Sequence, residues 1–268
     1  MDLGLEGKRA LVLGGNRGIG LGIATALARE GAHVAITGRE EARLSQAAQE
    51  LQRAARDAGR QAVQVEGCSL ELGNADALPS FVARLGERFG PIDILVNNTG
   101  GPDYGGASGH SAQAWRTAFE EMVLPVIVLT DLLLPGMRRR GWGRILTVVS
   151  SGVVQPLPVL GISNSLRSAL VPWSKTLSAE VAGQGITANI LVPGRIDTER
   201  VRLTDEATAS RDGLTPEQVR QRSTGGIPMG RYGDPAEFGA LAAFVASVPA
   251  AYITGSMLRC DGGNIRSI

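Results

Sequence analysis

Apolar and polar positions along this chain alternate between two rhythms. Short, nearly continuous apolar runs occur at Ala10–Leu13, His33–Thr37, Ala62–Glu66, Ile92–Val96, Arg144–Val149, Thr187–Val192 and Ser256–Arg259. They have strand length, and most are rich in Val, Ile and Leu, as strands buried on both faces are. Longer stretches with helical spacing lie between them, near 18–30, 40–58, 74–89, 112–139, 162–183 and 234–247. Strands separated by helices of that length need crossover connections, so the pattern predicts an α/β fold whose parallel sheet is covered on both faces. No linker rich in Pro, Gly or Ser divides residues 1–268 and no internal repeat stands out, so one domain is expected.

One segment breaks the rhythm. Residues 197–234 are polar, charged and turn-rich, with one short helix expected from Thr215-Pro216-Glu217 to Arg222, Thr as cap and Pro in the first turn. A stretch this long between core elements at the carboxyl edge of a sheet reads as a substrate lid, with a solvated insertion as the alternative.

Gly14-Gly15-Asn16-Arg17-Gly18-Ile19-Gly20 follows the first apolar run and opens the first helical stretch. Glycines between a buried strand and a helix let backbone N–H groups approach a diphosphate, with the helix N-terminus facing its charge. Nucleotide binding is therefore the first functional expectation. Composition narrows the rest. With 27 basic and 26 acidic residues the formal charge is +1, which gives bulk electrostatics no part in binding nucleic acid. Hydrophobic residues make up 43% of the chain, enough for a substantial core. Cys68 and Cys260 read as reduced thiols rather than a disulfide framework. The N-terminus has no export signal, and the most apolar stretch, 123–134, is interrupted by Pro125 and Asp131 and too short to span a bilayer. A cytoplasmic protein without membrane contact is expected.

Five stretches together resemble the short-chain dehydrogenase/reductase family. They are Gly14–Gly20, Asn97-Asn98-Thr99-Gly100, Ser150-Ser151, Pro193-Gly194-Arg195-Ile196-Asp197-Thr198 and Asp261-Gly262-Gly263, in matching order over essentially the whole chain. Within the family the likeness is greatest to 3-oxoacyl-[acyl-carrier-protein] reductases. The resemblance implies a Rossmann-type three-layer sandwich with a seven-stranded parallel sheet, a nicotinamide cofactor, a small carbonyl or alcohol substrate and a homotetramer. It also implies cofactor contacts from Gly14, Asn16, Gly18, Ile19, Gly20, Asn98, Gly100, Pro193, Gly194, Ile196 and Thr198, the last two near the nicotinamide amide.

Charge bears on which cofactor. Where an acidic residue would accept hydrogen bonds from ribose hydroxyls, the second strand ends in Thr37-Gly38-Arg39, and Arg17 lies in the glycine turn. Two guanidinium groups suit a 2′-phosphate, which favours NADP(H), with NAD(H) as the alternative. Cys68-Ser69-Leu70 departs from the family, which has an acidic residue beside the adenine; Ser69 substitutes weakly.

The catalytic pattern also departs. The family protonates a developing alkoxide with the phenol of a Tyr-x-x-x-Lys pair, the lysine cation lowering the phenol pKa. Here the corresponding helix reads Ser163-Asn164-Ser165-Leu166-Arg167, which puts Ser163 at the tyrosine position and Arg167 at the lysine position. No tyrosine lies between Tyr104 and Tyr232, and Met122 stands where the family has the asparagine of its proton relay. Ser150, expected to orient the carbonyl, keeps its spacing, with Ser151 as a near alternative. Arg167 is expected to hold the nicotinamide ribose but cannot shuttle protons. Tyr104, in the loop Gly100–Gly109, or a water is the candidate proton source. His110 reads as the residue preceding a Ser111-capped helix, His33 as structural, and Glu120 and Glu121 as surface positions. Pro125 and Pro172 are expected to kink their helices and free the carbonyls of Glu121 and Ser168, shaping the altered site. The expected function is an NADP(H)-dependent oxidoreductase with an atypical acid–base site. Two alternatives stand beside it: an impaired dinucleotide-binding sensor or oligomer partner, and, more distantly, an isomerase or lyase.

Overall fold

A computed structural model describes residues 1–267. Its sheet is formed by β1 (Arg9–Val12), β2 (His33–Gly38), β3 (Val65–Ser69), β4 (Ile94–Asn97), β5 (Gly143–Val148), β6 (Ile186–Pro193) and β7 (Met257–Cys260). These seven strands are parallel, in the order β3-β2-β1-β4-β5-β6-β7. The expected Rossmann-type sandwich is present. Continuous apolar runs become strands because alternate residues feed different cores. Ala10 and Val12 join one cluster and Leu11 the other, as do Ile94 and Val96 against Leu95.

The helices divide accordingly. Buried residues of α1 (Gly18–Arg29), α2 (Glu41–Asp57) and α9 (Pro235–Ala246) pack in the first cluster. Those of α3 (Leu78–Phe89), α5 (Leu124–Arg140) and α6 (Gly161–Val181) line the second, and α4 (Ala112–Met122) packs on α5 and α6 in a third. Helix α1 crosses α9 almost backbone to backbone. A Cβ on Gly239 would collide with the carbonyl oxygen of Gly22, and one on Gly22 with that of Pro235.

Several expected boundaries shift. The third strand runs over Val65–Ser69 rather than Ala62–Glu66, because Val34 aligns with Val65 and the preceding residues form a turn held by the Gln64 N–H donating to His33 Nδ1. The helix expected over 112–139 is two helices. Pro125 lies in the first turn of α5, where its missing N–H costs nothing, so it starts a helix rather than kinking one. Pro135 and Pro172 are the prolines inside helices. The segment 197–234 holds more structure than its composition suggests: α7 (Glu199–Asp212) precedes α8 (Pro216–Gly225), the latter closed by a Thr215–Gln218 capping box. Periodicity missed α7 because its buried residues are only Asp205 and Ala209.

Among the described residues no helix is long and apolar enough to cross a membrane. The sheet order reverses between β1 and β4, so the turn after β1 and Asn97–Gly100 after β4 face one crevice at the carboxyl edge. The α1–α9 contact supports the β1 side of that crevice. We expect Gly239→Ala to cost about 1–3 kcal/mol through overpacking. Gly86→Ala, at a helical glycine with open space around it, should be neutral or slightly stabilising in the same thermal melts.

Candidate active site

The glycine turn is fixed from two sides. Thr37 accepts the Gly14 N–H on its hydroxyl (3.1 Å) and the Gly15 N–H on its carbonyl (3.1 Å). Asn98 Nδ2 donates to the carbonyls of Leu13 (3.1 Å) and Gly14 (3.4 Å), tying β1 to the end of β4. Gly14 has φ +57°, and a Cβ on Gly20 would strike the Gly14 carbonyl, so the chain can only turn this tightly with glycine at both positions. Helix α1 begins at Gly18 with Arg17 as its uncapped N-cap residue, so no side chain accepts from its first-turn N–H groups. A helix start left uncapped by side chains fits a diphosphate.

The arginines expected nearby separate. Arg39 is exposed and forms no ion pair among the described residues. Arg17 Nη1 contacts Glu199 Oε2 at 3.3 Å, and Arg43 Nη1 contacts the same oxygen at 3.2 Å. Hydrogen bonding to Arg43, then to Arg17, holds the Glu199 carboxyl below its ordinary range. Neither Arg43 nor Glu199 was singled out from the sequence. Arg43 lies four residues beyond Arg39, inside α2, and Glu199 directly follows Thr198; these adjacencies were the available signals. A groove of about 960 Å³ starts at Asn16-Arg17-Gly18, is walled by Arg43, Thr198 and Glu199, and runs along α1 towards Pro235 and Ala243. Ser150 and Ser163 do not line it.

The second half of the site is built around Arg167. It projects from α6 and is buried, its Nη1 donating to the Val148 carbonyl (3.3 Å) and its Nη2 to those of Thr99 (3.1 Å) and Gly100 (2.6 Å). Its side chain thus bolts the ends of β4 and β5 together, whereas the sequence suggested a group reaching for ribose. Among the described residues no carboxylate pairs with it. Burial, with the nearby Arg200 charge adding to it, brings its pKa down to about 10, so it stays protonated at neutral pH.

Ser150 follows β5 and caps a short helical turn, accepting the Gly152 N–H on Oγ at 3.1 Å. Its own hydroxyl proton is left for another acceptor. Ser163 sits in the first turn of α6 and is buried, with no hydrogen-bond partner among the described residues. Met122 is buried and apolar, with its carbonyl accepting from Thr99 Oγ1 at 3.5 Å. Tyr104 is half-exposed and its hydroxyl is bonded to Thr204 of α7, which joins the loop after β4 to the segment 197–234. His110 bonds the Gly106 carbonyl (2.9 Å), and Ser111 caps α4, as expected.

Pro193 ends β6, and the Gly194 N–H donates to the Cys260 carbonyl at 2.9 Å, packing this corner on Asp261. Ile196 is buried, and Thr198 caps α7 by accepting from Val201 N. Below them a polar cluster anchors α7. Buried Asp205 pairs with Arg195 and accepts from the Tyr232 hydroxyl at 2.8 Å, while Arg220 lies over the Tyr232 ring and bonds Asp197 at 2.8 Å. Burial, ahead of its bond to Asp205, raises the Tyr232 pKa.

The family model described as enoyl-(acyl carrier protein) reductase matches residues 14–264. The 3-oxoacyl-[acyl-carrier-protein] reductase FabG of Vibrio cholerae is 33% identical over 263 residues, covering 97% of this chain and 98% of that protein. L-sorbose reductase from Gluconobacter frateurii, solved with NADPH and L-sorbose, superposes with a TM-score of 0.92 at 32% identity over 100% of both chains. A single-residue variant of actinorhodin polyketide ketoreductase, solved with NADPH, gives 0.88 at 31% identity over 96% of this chain and 97% of that one.

The Arg167 network makes a stability prediction. Arg167→Ala leaves three carbonyls without their donor and opens a cavity, which should cost about 3–5 kcal/mol in urea denaturation. Arg167→Lys, with one compact ammonium, should recover only part of this.

Proposed function

The chain belongs to the short-chain dehydrogenase/reductase family, and on that premise we propose that it is an NADP(H)-dependent oxidoreductase acting on a carbonyl/alcohol substrate through an acid–base site without the usual phenol. The observation that carries the second half is the pair of side chains on α6: an unpartnered Ser163 hydroxyl and a buried Arg167 that is charged at neutral pH. Relatives solved with NADPH support the cofactor, as does the glycine turn Gly14–Gly20 leading into an uncapped helix start, with Arg17 and Arg43 beside it. Gly14, Asn16, Gly18, Ile19 and Gly20 would hold the diphosphate, Arg17 and Arg43 a 2′-phosphate with Arg39 near it, and Asn98, Gly100, Pro193, Gly194, Ile196 and Thr198 the nicotinamide half. When bound, NADP(H) supplies the hydride donor or acceptor.

The chain's own groups supply the rest. Ser150, with its oxygen already accepting from Gly152, is left to donate its proton to a substrate carbonyl oxygen. Arg167 does not transfer a proton; its charge, partly desolvated beneath the site, stabilises negative charge developing on that oxygen. With Tyr104 engaged to Thr204, water is the proton source in this reading, and Tyr104 becomes part of the closure between the loop after β4 and the lid 197–234. The 3-oxoacyl class is the substrate reading that the FabG relative supports. A homotetramer and a cytoplasmic setting belong to the same proposal; exposed apolar side chains such as Phe119, Phe244 and Met257 support self-association, which sedimentation would test.

The experiment is titration with NADPH and NADH followed by a ketone and aldehyde panel monitored for NADPH oxidation. NADPH binding with turnover supports the reading; binding without turnover across a broad panel supports a sensor instead. Ser150→Ala should lower kcat/KM by about 10²-fold or more, while Tyr104→Phe should leave kcat within about threefold, since loss of a general acid would cost about 10²–10⁴. Because Arg167 holds its proton up to about pH 10, kcat for reduction should be flat from about pH 6 to 9 and fall as the guanidinium loses its charge.

A further inference from the structure

Two contacts place the start of α7 directly on the nucleotide turn. The Thr198 methyl group rests against Gly18, close enough that a Cβ there would lie 3.3 Å from Cγ2. One residue on, the Glu199 carboxylate bridges Arg17 and Arg43 through a single oxygen, at 3.3 and 3.2 Å. Arg17 has no other acidic partner among the described residues, and Arg43 has only Glu40 besides, at 3.0 Å. Glu199 is therefore an anion bound between two cations at the mouth of the site, and it comes from the lid rather than from the nucleotide-binding half.

We propose that Glu199 is a specificity-determining residue that occupies the arginine pair in place of a cofactor 2′-phosphate and is displaced by it. This rests on the reading of the chain as a dinucleotide-dependent enzyme. A 2′-phosphate brings up to two negative charges and several acceptor oxygens to the same guanidinium groups. It cannot share them at close range with a carboxylate without like-charge repulsion, so its binding breaks two ion pairs before making its own. NADH carries no such group and leaves the bridge standing, and the carboxylate can accept a hydrogen bond from its free ribose hydroxyls. Glu199 thus lowers the affinity for NADP(H) and sustains that for NAD(H), narrowing a preference that the arginines alone would make wide. Each pair is partly exposed, so the effect on binding is modest.

Isothermal titration of NADPH, NADH, 2′,5′-ADP and 5′-ADP against the wild-type protein and Glu199→Gln tests this without any turnover. Glu199 is half-exposed, so the variant should fold, and an unchanged melting temperature would verify that. The expected result is about three- to tenfold tighter NADPH and 2′,5′-ADP in Glu199→Gln, with 5′-ADP and NADH each unchanged or weaker. Arg43→Gln in the Glu199→Gln background should remove most of the gain. An NADPH/NADH affinity ratio that stays the same or falls in Glu199→Gln, while the wild type still binds NADPH, overturns the role of Glu199 and leaves the enzyme reading intact. Failure of both dinucleotides to bind the wild type overturns both.

Discussion

The buried guanidinium of Arg167 sets the terms for everything around it. A desolvated charge without a carboxylate is costly, and here three carbonyl oxygens from two strand ends compensate it. Because those carbonyls belong to Val148, Thr99 and Gly100, the charge also fixes the crevice: β5 ends one residue before Val149 and two before Ser150, and the loop carrying Tyr104 leaves from Gly100. The Arg167 donors that are engaged point to backbone carbonyls. The cation keeps its electrostatic influence on the site while its hydrogen bonds serve the backbone.

The segment above it is anchored unevenly. Its inner end is held by the Asp205–Arg195–Tyr232 cluster, where Asp205 and Tyr232 are buried and each has a polar partner. Its outer contacts are Glu199 on Arg17 and Arg43, Thr204 on Tyr104, and Arg200 on the Pro102 carbonyl at 3.3 Å, all at the surface. Exposed ion pairs and hydrogen bonds are individually weak, whereas breaking a buried pair leaves an uncompensated charge. Displacing this segment would therefore cost least at the start of α7 and most at Asp205.

The sheet was legible because parallel strands buried on both faces leave unbroken apolar runs, and the crevice because glycine and asparagine follow β1 and β4. What escaped reading did so for physical reasons. Helix α7 buries an aspartate and an alanine, so no apolar stripe announced it. Pro125 has the same composition signal whether it bends a helix or begins one; the fold around Val123 decides. Arg43 and Glu199 come from α2 and from the far side of the sheet, and only tertiary structure brings them together. The sequence did mark Arg167 as the residue to watch, but its partners are backbone atoms, which no side-chain pattern encodes.

The proposed site, which works without a phenol, would be limited in which barrier it can lower. General acid catalysis contributes about 10²–10⁴ in rate, and a well-placed hydrogen-bond donor to a developing oxyanion about 10²–10³. In the proposed reading, exchanging the first for the second, Ser150 and the Arg167 charge in place of a tyrosine, would leave a site able to stabilise an anion but slow to protonate it. Such a site favours carbonyl substrates whose reduced anion is itself weakly basic, because for them the missing proton transfer counts least. Electron-withdrawing neighbours on the substrate should therefore accelerate turnover here more steeply than in a relative that keeps its tyrosine. The slope of rate against substrate acidity would measure how far electrostatics has replaced acid catalysis.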